Sequence, residues 1–281
     1  MREDQAAGLR RLFTRRAARV LLVADSAWPQ RGWLALNLAA AFARTGEQVM
    51  LLDTERESAA ALWGARCRCE LGHVLDGDRR LVDVIVPGPE ASVILPMRRA
   101  GATLAGQGPA GQRLLARVLD GFMEHDGLLI VPVSPARLAS PLWCFGGGDL
   151  LFCVGAGPAA TTRAYASIKS LLAQRPQPSV QVISACAGVP DSVGTAEAAQ
   201  DRFEHMNGIV KRFLGTELRF AGALPSADLA QGRGGRTLYD DAPAAARTIE
   251  ALARAIAGWQ LPQLDFAVRH DARRSRQLVT I

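Results

Sequence analysis

The sequence predicts an α/β fold: a doubly wound, mostly parallel sheet with helices on both faces. Short apolar runs alternate with helical stretches between residues 18 and 258. The runs are apolar almost throughout, which is typical of parallel strands buried on both faces. Apolar residues make up 49% of the 281 residues and charged residues 21%, so a large core can form and wholesale disorder is excluded. Right-handed crossovers between the strands then place helices on both sides of the sheet.

Apolar runs mark the strands, and apolar residues at helical spacing mark the helices. We expect strands at 20–24, 49–53, 92–95, 128–133, 150–154, 180–184 and 217–224, and helices at 33–45, 111–124, 159–174, 194–213 and 241–258. In the first helix Leu34, Leu38 and Phe42 recur every four residues, and Gly46 can cap its end. The Gly- and Ala-rich stretch 99–111 is predicted to be a mobile loop on the ligand side of the sheet.

Two flanks lie outside the predicted 18–258 domain. Residues 1–17 carry charge and a helical apolar stripe of Leu9, Leu12 and Phe13, whereas residues 259–281 form a basic tail with no pattern able to form a core. The N-terminus has no apolar signal core, and no run approaches the ~20 apolar residues of a membrane-spanning helix. We therefore expect a soluble, cytoplasmic protein.

The five cysteines are odd in number, which argues against a disulfide scaffold and for a reducing compartment. Cys67-x-Cys69 with the nearby His73 could suggest zinc. A zinc finger also needs a second Cys or His pair at the right spacing, and the sequence has none. We expect no metal site.

The loop after the first predicted strand is where an open α/β sheet most often binds ligands. A phosphate-binding loop needs glycines that expose backbone N–H groups, a lysine that reaches the phosphates and a Ser or Thr on magnesium. The loop here, Asp25 to Trp33, reads DSAWPQRGW and has one glycine, one proline and no lysine. The only lysines of the chain are Lys169 and Lys211, and Asp25 would place a negative charge beside a polyanion.

Residues 20–55, VLLVADSAWPQRGWLALNLAAAFARTGEQVMLLDTE, resemble the first βαβ unit of the MinD/ParA ATPases. That unit reads strand, KGGVGKT, an NLA-containing helix and LLDAD. Anchoring on the NLA at 37–39 places Ser26 at the signature lysine, Arg31 at the P-loop lysine and Gly32 at the magnesium-binding threonine. Asp53 matches the first acid after the second strand, and Glu55 stands where the family usually has a second one. Val131 stands where the metal-associated aspartate is expected.

This resemblance implies a MinD/ParA-like P-loop NTPase fold whose phosphate and magnesium ligands have been replaced. Arg31 keeps a positive charge, but its planar guanidinium is not a compact ammonium. We expect that neither ATP nor Mg²⁺ binds, that the chain needs no cofactor, and that it is a pseudo-ATPase with no catalytic residues of its own. Two alternatives stay open: an active ATPase with an unusual loop, and weak nucleotide binding without turnover.

Further segments resemble FlhG (FleN), the MinD-type regulators of flagellar number and placement. They are LGHVLDG at 71–77 with LVDVIVPGP at 81–89 and VILP at 93–96, then AYASIKSL at 164–171, then residues 203–225. The similarity runs over about residues 2 to 258.

The N-terminal segment DQAAGLR at 4–10 matches the DQAxxLR activator motif of FlhG-like proteins. The resemblance implies that Asp4, Gln5, Ala6, Leu9 and Arg10 bind and stimulate FlhF, the signal-recognition-type GTPase that marks the flagellar pole. The residue chemistry suits this role, because Asp4 can cap a short helix, Leu9 can anchor in a groove and the Gln5 amide can orient water at a γ-phosphate. A generic helix that packs on the domain is the alternative interpretation.

The partner that the resemblance implies is an FlhF-type GTPase, which would recruit the cytoplasmic chain to the cell pole. Flagellar C-ring components and a flagellar transcription factor are further candidates. The N-terminal arginines could meet nucleic acid or anionic lipid, but an arginine-biased composition accounts for them, so we expect no specific nucleic acid partner. The tail contains Pro262 and no clear apolar stripe, so we expect no membrane attachment through it. A non-flagellar MinD-like accessory subunit remains as an alternative, and the DQAxxLR match argues against it.

Overall fold

The computed structural model describes residues 17–25, 31–54, 59–123, 126–138, 140–144, 148–174, 178–186, 193–225, 235–241 and 243–266. Within them, nine strands form one mostly parallel sheet, which confirms the predicted fold class. The strands are β1 (Ala17–Asp25), β2 (Val49–Asp53), β3 (Val86–Pro87), β4 (Val93–Pro96), β5 (Leu128–Val133), β6 (Asp149–Val154), β7 (Ser179–Cys186), β8 (Arg219–Pro225) and β9 (Gln263–Asp265). Their order is β3-β4-β2-β5-β1-β6-β7-β8, with β9 paired to β1. Only β3 and β9 run antiparallel to their partners in this part of the chain.

Helices connect the parallel strands and cover both faces. They are α1 (Arg31–Arg44), α2 (Ala59–Leu62), α3 (Leu71–Leu75), α4 (Arg98–Gly106), α5 (Pro109–Leu119), α6 (Pro135–Leu138), α7 (Pro158–Gln174), α8 (Val193–Leu214), α9 (Leu238–Asp241) and α10 (Pro243–Ala257). Short 3₁₀ turns occupy Leu81–Asp83, Pro89–Ala91 and Pro141–Trp143. Among the described residues, no helix is long and apolar enough to cross a membrane.

Two apolar clusters form the core, one on each face of the sheet. Along β1, Val20 and Leu22 belong to one cluster, and Leu21 and Val23 belong to the other, because successive strand residues point to opposite faces. Helices α4, α5, α7 and α8 cover the first face, whereas α1 and α10 cover the second. Since α1 packs against β1, β2 and β5 on one side and contacts α10, α2 and the 3₁₀ turn at Pro89–Ala91 on others, residues 32–42 are all buried.

The mobile loop predicted at 99–111 is wrong, because these residues belong to α4 and α5. The two helices pack against each other so closely that a Cβ atom on Gly111 would lie 2.0 Å from the carbonyl oxygen of Leu104. Leu104, Leu115 and Leu119 are fully buried beneath them. Glycine, which weakens an isolated helix, here permits close packing of two helices, and local sequence does not reveal that contact.

The C-terminal flank also contributes to the core, contrary to expectation. Strand β9 pairs with residues 17–19 of β1, and Leu264 and Phe266 are buried. Strand β6 pairs only with residues 23–25 of β1, so the first half of β1 has unpaired backbone groups on that side. Residues 260–265 supply hydrogen-bond partners for the backbone groups that β6 does not reach. One such hydrogen bond, of 2.8 Å, runs from the Val20 N–H to the Pro262 carbonyl.

Candidate functional site

The carboxyl ends of the central parallel strands meet at one edge of the sheet, where an open α/β fold binds its ligands. Asp25 ends β1 and Asp53 ends β2, and β5 lies between these two strands. Two strand spacings separate β1 from β2 by about 10 Å. The two acids therefore lie at the same edge, two strands apart.

Asp25 forms a buried ion pair with Arg31, the first residue of α1. The Nη1 atom of Arg31 lies 2.9 Å from both carboxylate oxygens of Asp25. The Asp25 side chain is 0% exposed and that of Arg31 is 17% exposed. The positive charge at the sequence position of a P-loop lysine is thus directed at a carboxylate of its own chain.

Cys153 on β6 lies beside this pair, since it stands opposite Asp25 in the strand register. Burial raises the pKa of the Cys153 thiol well above its ordinary value, and the Asp25 carboxylate raises it further, whereas Arg31 opposes the shift. The shift favours the neutral thiol over the nucleophilic thiolate.

Asp53, the acid that ends β2, caps a short helix. Its Oδ1 accepts a hydrogen bond from the Ala59 N–H at 3.2 Å, and its Oδ2 accepts one from the Ala60 N–H at 3.1 Å. Both carboxylate oxygens are therefore bonded to the first turn of α2, as in an N-cap. The next residue, Thr54, donates from its hydroxyl to the Pro132 carbonyl, and its own carbonyl accepts from the Arg137 guanidinium at 2.7 Å.

Gly32 and Val131 offer no polar side chain to a ligand. Gly32 is buried in the first turn of α1, and Val131 is fully buried in the same apolar cluster as Leu22. Neither lysine is at this edge. Lys169 is exposed on α7, and Lys211 pairs with Glu217 just before β8 begins.

Several predicted residues lie outside the described residues. These are Ser26 and Glu55 of the predicted nucleotide site, and Asp4, Gln5, Ala6, Leu9 and Arg10 of the predicted activator segment. Among the described residues, no group of three or more His, Cys, Asp or Glu side chains is placed to hold a metal ion.

Sequence reasoning missed the Asp25–Arg31 pair and the Arg137 contact. The six-residue spacing of Asp25 and Arg31 is a weak sign of pairing, because the intervening loop could carry Arg31 in any direction. Arg137 is more than 80 positions from Thr54, and only the parallel pairing of β2 with β5 brings them together.

Several solved structures share this fold. The MinD cell division protein of Aquifex aeolicus aligns with a TM-score of 0.62 and 17% identity over 87% of this chain and 98% of its own. McdA of Cyanothece without nucleotide aligns at 0.62 and 13% identity over 86% and 100% of the two chains. A ParA family ATPase of Chlorobium tepidum aligns at 0.60 and 15% identity over 85% and 98%. The chain has the MinD/ParA fold. No protein-family model and no curated protein matches its sequence.

Within this MinD/ParA fold, Asn37 of the NLA sequence has a structural role. It is fully buried, its Nδ2 donates to the Trp33 carbonyl, and its Oδ1 accepts from the Leu238 N–H at 2.8 Å. One amide thus ties α1 to the first turn of α9, 201 positions away. The NLA sequence therefore marks a packing contact that does not require a nucleotide.

Proposed function

We propose that the chain is an FlhG-like regulator that activates an FlhF-type GTPase through residues 4–10 and that it no longer binds or hydrolyses ATP. The buried Asp25–Arg31 pair is the observation that most strongly supports the proposed loss of ATP binding and hydrolysis. The DQAxxLR match at 4–10 is what supports the activator role.

The ion pair disfavours a phosphate in two ways. An incoming phosphate would have to draw the Arg31 guanidinium away from Asp25, and the buried carboxylate would then lie beside a polyanion without this counter-ion. Removing one partner of a buried pair is strongly unfavourable. The residues at this edge therefore do not fit a magnesium nucleotide, since Asp53 caps α2 and Val131 has no ligating atom.

The position of β1 supports a separate activator segment. Ala17 begins β1 and Asp25 ends it, so the two residues lie at opposite ends of the strand. The eight residue steps between them span about 26 Å. The segment at 1–16 thus joins the domain far from the nucleotide edge. A GTPase bound through that segment need not sense a nucleotide at Asp25.

Calorimetry with millimolar Mg-ATP tests the first half of the proposal. We expect no saturable heat from binding beside Asp25 and Arg31, and light scattering should give the same mass with and without ATP, because no nucleotide would join two protomers. One solved structure with the same fold is described as a ParA family ATPase, so a MinD-type ATPase is the specific alternative. A micromolar dissociation constant for ATP bound beside Asp25 and Arg31, or an ATP-dependent doubling of mass, would establish that alternative.

GTP hydrolysis by the cognate FlhF-type GTPase tests the second half. The full chain should accelerate hydrolysis, and Gln5→Ala should abolish the acceleration but keep much of the binding, because Leu9 supplies the apolar contact. Leu9→Asp should abolish binding, since it would bury an unpaired charge. Arg16→Ala is the matched control in the same segment and should behave as the unmodified chain does.

Two results would contradict the activator role. If Gln5→Ala stimulates as well as the unmodified chain, the glutamine does not act on the reaction and the helix is only a tether. If neither variant changes stimulation or binding, residues 1–17 pack on the domain as a cap, and an accessory subunit with a MinD/ParA fold becomes the better explanation.

A further inference from the structure

A second cleft opens at the same edge of the sheet, beside the ends of β2 and β4 rather than β1. Its volume is about 340 Å³, which lies within the range of small-ligand sites. The loop before α3, helix α3 itself and the start of α4 form its walls. Residues that line it and could contact a ligand are Cys67, Arg68, His73, Arg98 and Arg99.

Two carboxylates also line this cleft, and both are bonded to backbone N–H groups. Asp53 caps α2, as described above. The Oε2 of Glu70 accepts a hydrogen bond from the Arg99 N–H at 2.9 Å, at the start of α4. Their negative charge is thus directed at the N-termini of helices, which partly compensate it.

The three arginines have no such partner. Within the described residues, the side chains of Arg68, Arg98 and Arg99 form no ion pair and no hydrogen bond to a carboxylate. All three are exposed, so their guanidinium groups can turn toward an incoming ligand. His73 adds a further group, since its Nδ1 lies 3.2 Å from the backbone of Glu70 and leaves Nε2 for a ligand.

We propose that this cleft binds a small anion that carries two or more phosphate or carboxylate groups. Guanidinium groups form paired hydrogen bonds with the oxygens of either group, and three of them in one cleft match an anion with more than one such group. The inference does not depend on the proposed function, because it uses neither Asp25 and Arg31 nor residues 4–10. It assigns the chain a ligand at a place where the sequence suggested only a zinc motif.

Cys67 provides a reporter within the cleft, and Cys144 provides an internal control outside it, since both thiols are exposed. Burial and the Asp53 carboxylate raise the pKa of the Cys67 thiol, so alkylation of the full chain is best followed near pH 9 by mass spectrometry of the two peptides. Pyrophosphate and citrate are the probes for the phosphate and carboxylate forms of the ligand. We expect one or both to slow the alkylation of Cys67 with saturation at millimolar concentration or below, without slowing that of Cys144.

Arg98→Ala should raise the half-protecting concentration roughly tenfold or more, because it removes one charge-assisted contact. Arg68→Ala, in a different segment, should do the same, and Arg113→Ala on the exposed side of α5 should leave it unchanged. Absence of saturable protection by both probes would overturn the proposal. Equal protection of Cys144, or protection that survives in both cleft variants, would also overturn it.

The same variants separate this site from the nucleotide edge. If ATP binds the chain and Arg98→Ala abolishes the binding, the triphosphate occupies the cleft and the proposed loss of the nucleotide site stands. If ATP binding survives Arg98→Ala and Arg68→Ala, it occurs at the nucleotide edge. The proposed loss of ATP binding is then wrong. Whether the cleft binds anions is still decided separately, by the protection of Cys67 with pyrophosphate or citrate.

Discussion

The Asp25–Arg31 pair should contribute substantially to the stability of the fold. Replacing Arg31 by Gln keeps much of the side chain's volume and removes its charge, which takes the counter-ion from a fully buried carboxylate. At about 4 Å between charge centres and an effective dielectric constant of about 20, the lost attraction is about 4 kcal/mol. Variants that break buried pairs lose about 3–5 kcal/mol. Because Arg31 keeps 17% exposure, we expect the lower end of that range, about 3 kcal/mol of unfolding free energy.

Urea denaturation followed by circular dichroism measures this loss. The matched control is Arg80→Ala, which removes an exposed pair with Asp83 and should leave the midpoint unchanged. The double variant Asp25→Asn, Arg31→Gln should be more stable than Arg31→Gln alone, since it no longer buries the Asp25 carboxylate without the charge of Arg31. If Arg31→Gln is as stable as Arg80→Ala, the pair is not structural and the argument against phosphate binding loses its energetic basis.

Three further predictions follow from packing and burial. Gly111→Ala should lower the unfolding free energy measured in urea by about 1–3 kcal/mol, because its Cβ would collide with a carbonyl of α4. Gly208→Ala, which has open space around it in the middle of α8, should raise the unfolding free energy by up to about 1 kcal/mol. Equal effects of the two substitutions would contradict the close packing of α4 and α5. Asn37→Ala should cost about 1–3 kcal/mol in the same assay, since it removes the acceptor of the buried Leu238 N–H, and an unchanged midpoint would show that the tie is dispensable. Burial, helped by the Glu250 carboxylate, raises the pKa of Tyr239 to about 12, so phenolate absorbance in a variant without the other tyrosine should rise near pH 12. The stabilisation linked to neutral Tyr239 is full below about pH 10, the unfolded value, and is lost as the pH rises through about 12; a midpoint near 10 in the folded protein would refute this burial.

The sequence by itself determined the fold class and most of the elements. Strand β1, helix α1 and strand β2 could be predicted because the period of their apolar residues is a local property that burial on a sheet requires. The absence of lysine from the loop before α1 was also visible directly. These features depend on residues a few positions apart, so composition and spacing are sufficient to find them.

Tertiary structure alone decided what the polar residues do. Asp25 binds Arg31, Asp53 caps α2 and Asn37 holds α9. The first two contacts depend on where the next helix begins in space, and the third depends on a segment 201 positions away. The same holds for β9, which pairs with β1 because β6 leaves half of that strand open, and for Gly111, whose small size matters only against Leu104. The cleft with Arg68 and Arg98 exists because β2 and β4 are neighbours in the sheet. Hydrogen bonds and close contacts are set by positions in space, whereas hydrophobic periodicity is set along the chain, and this difference separates what could be predicted from what could not.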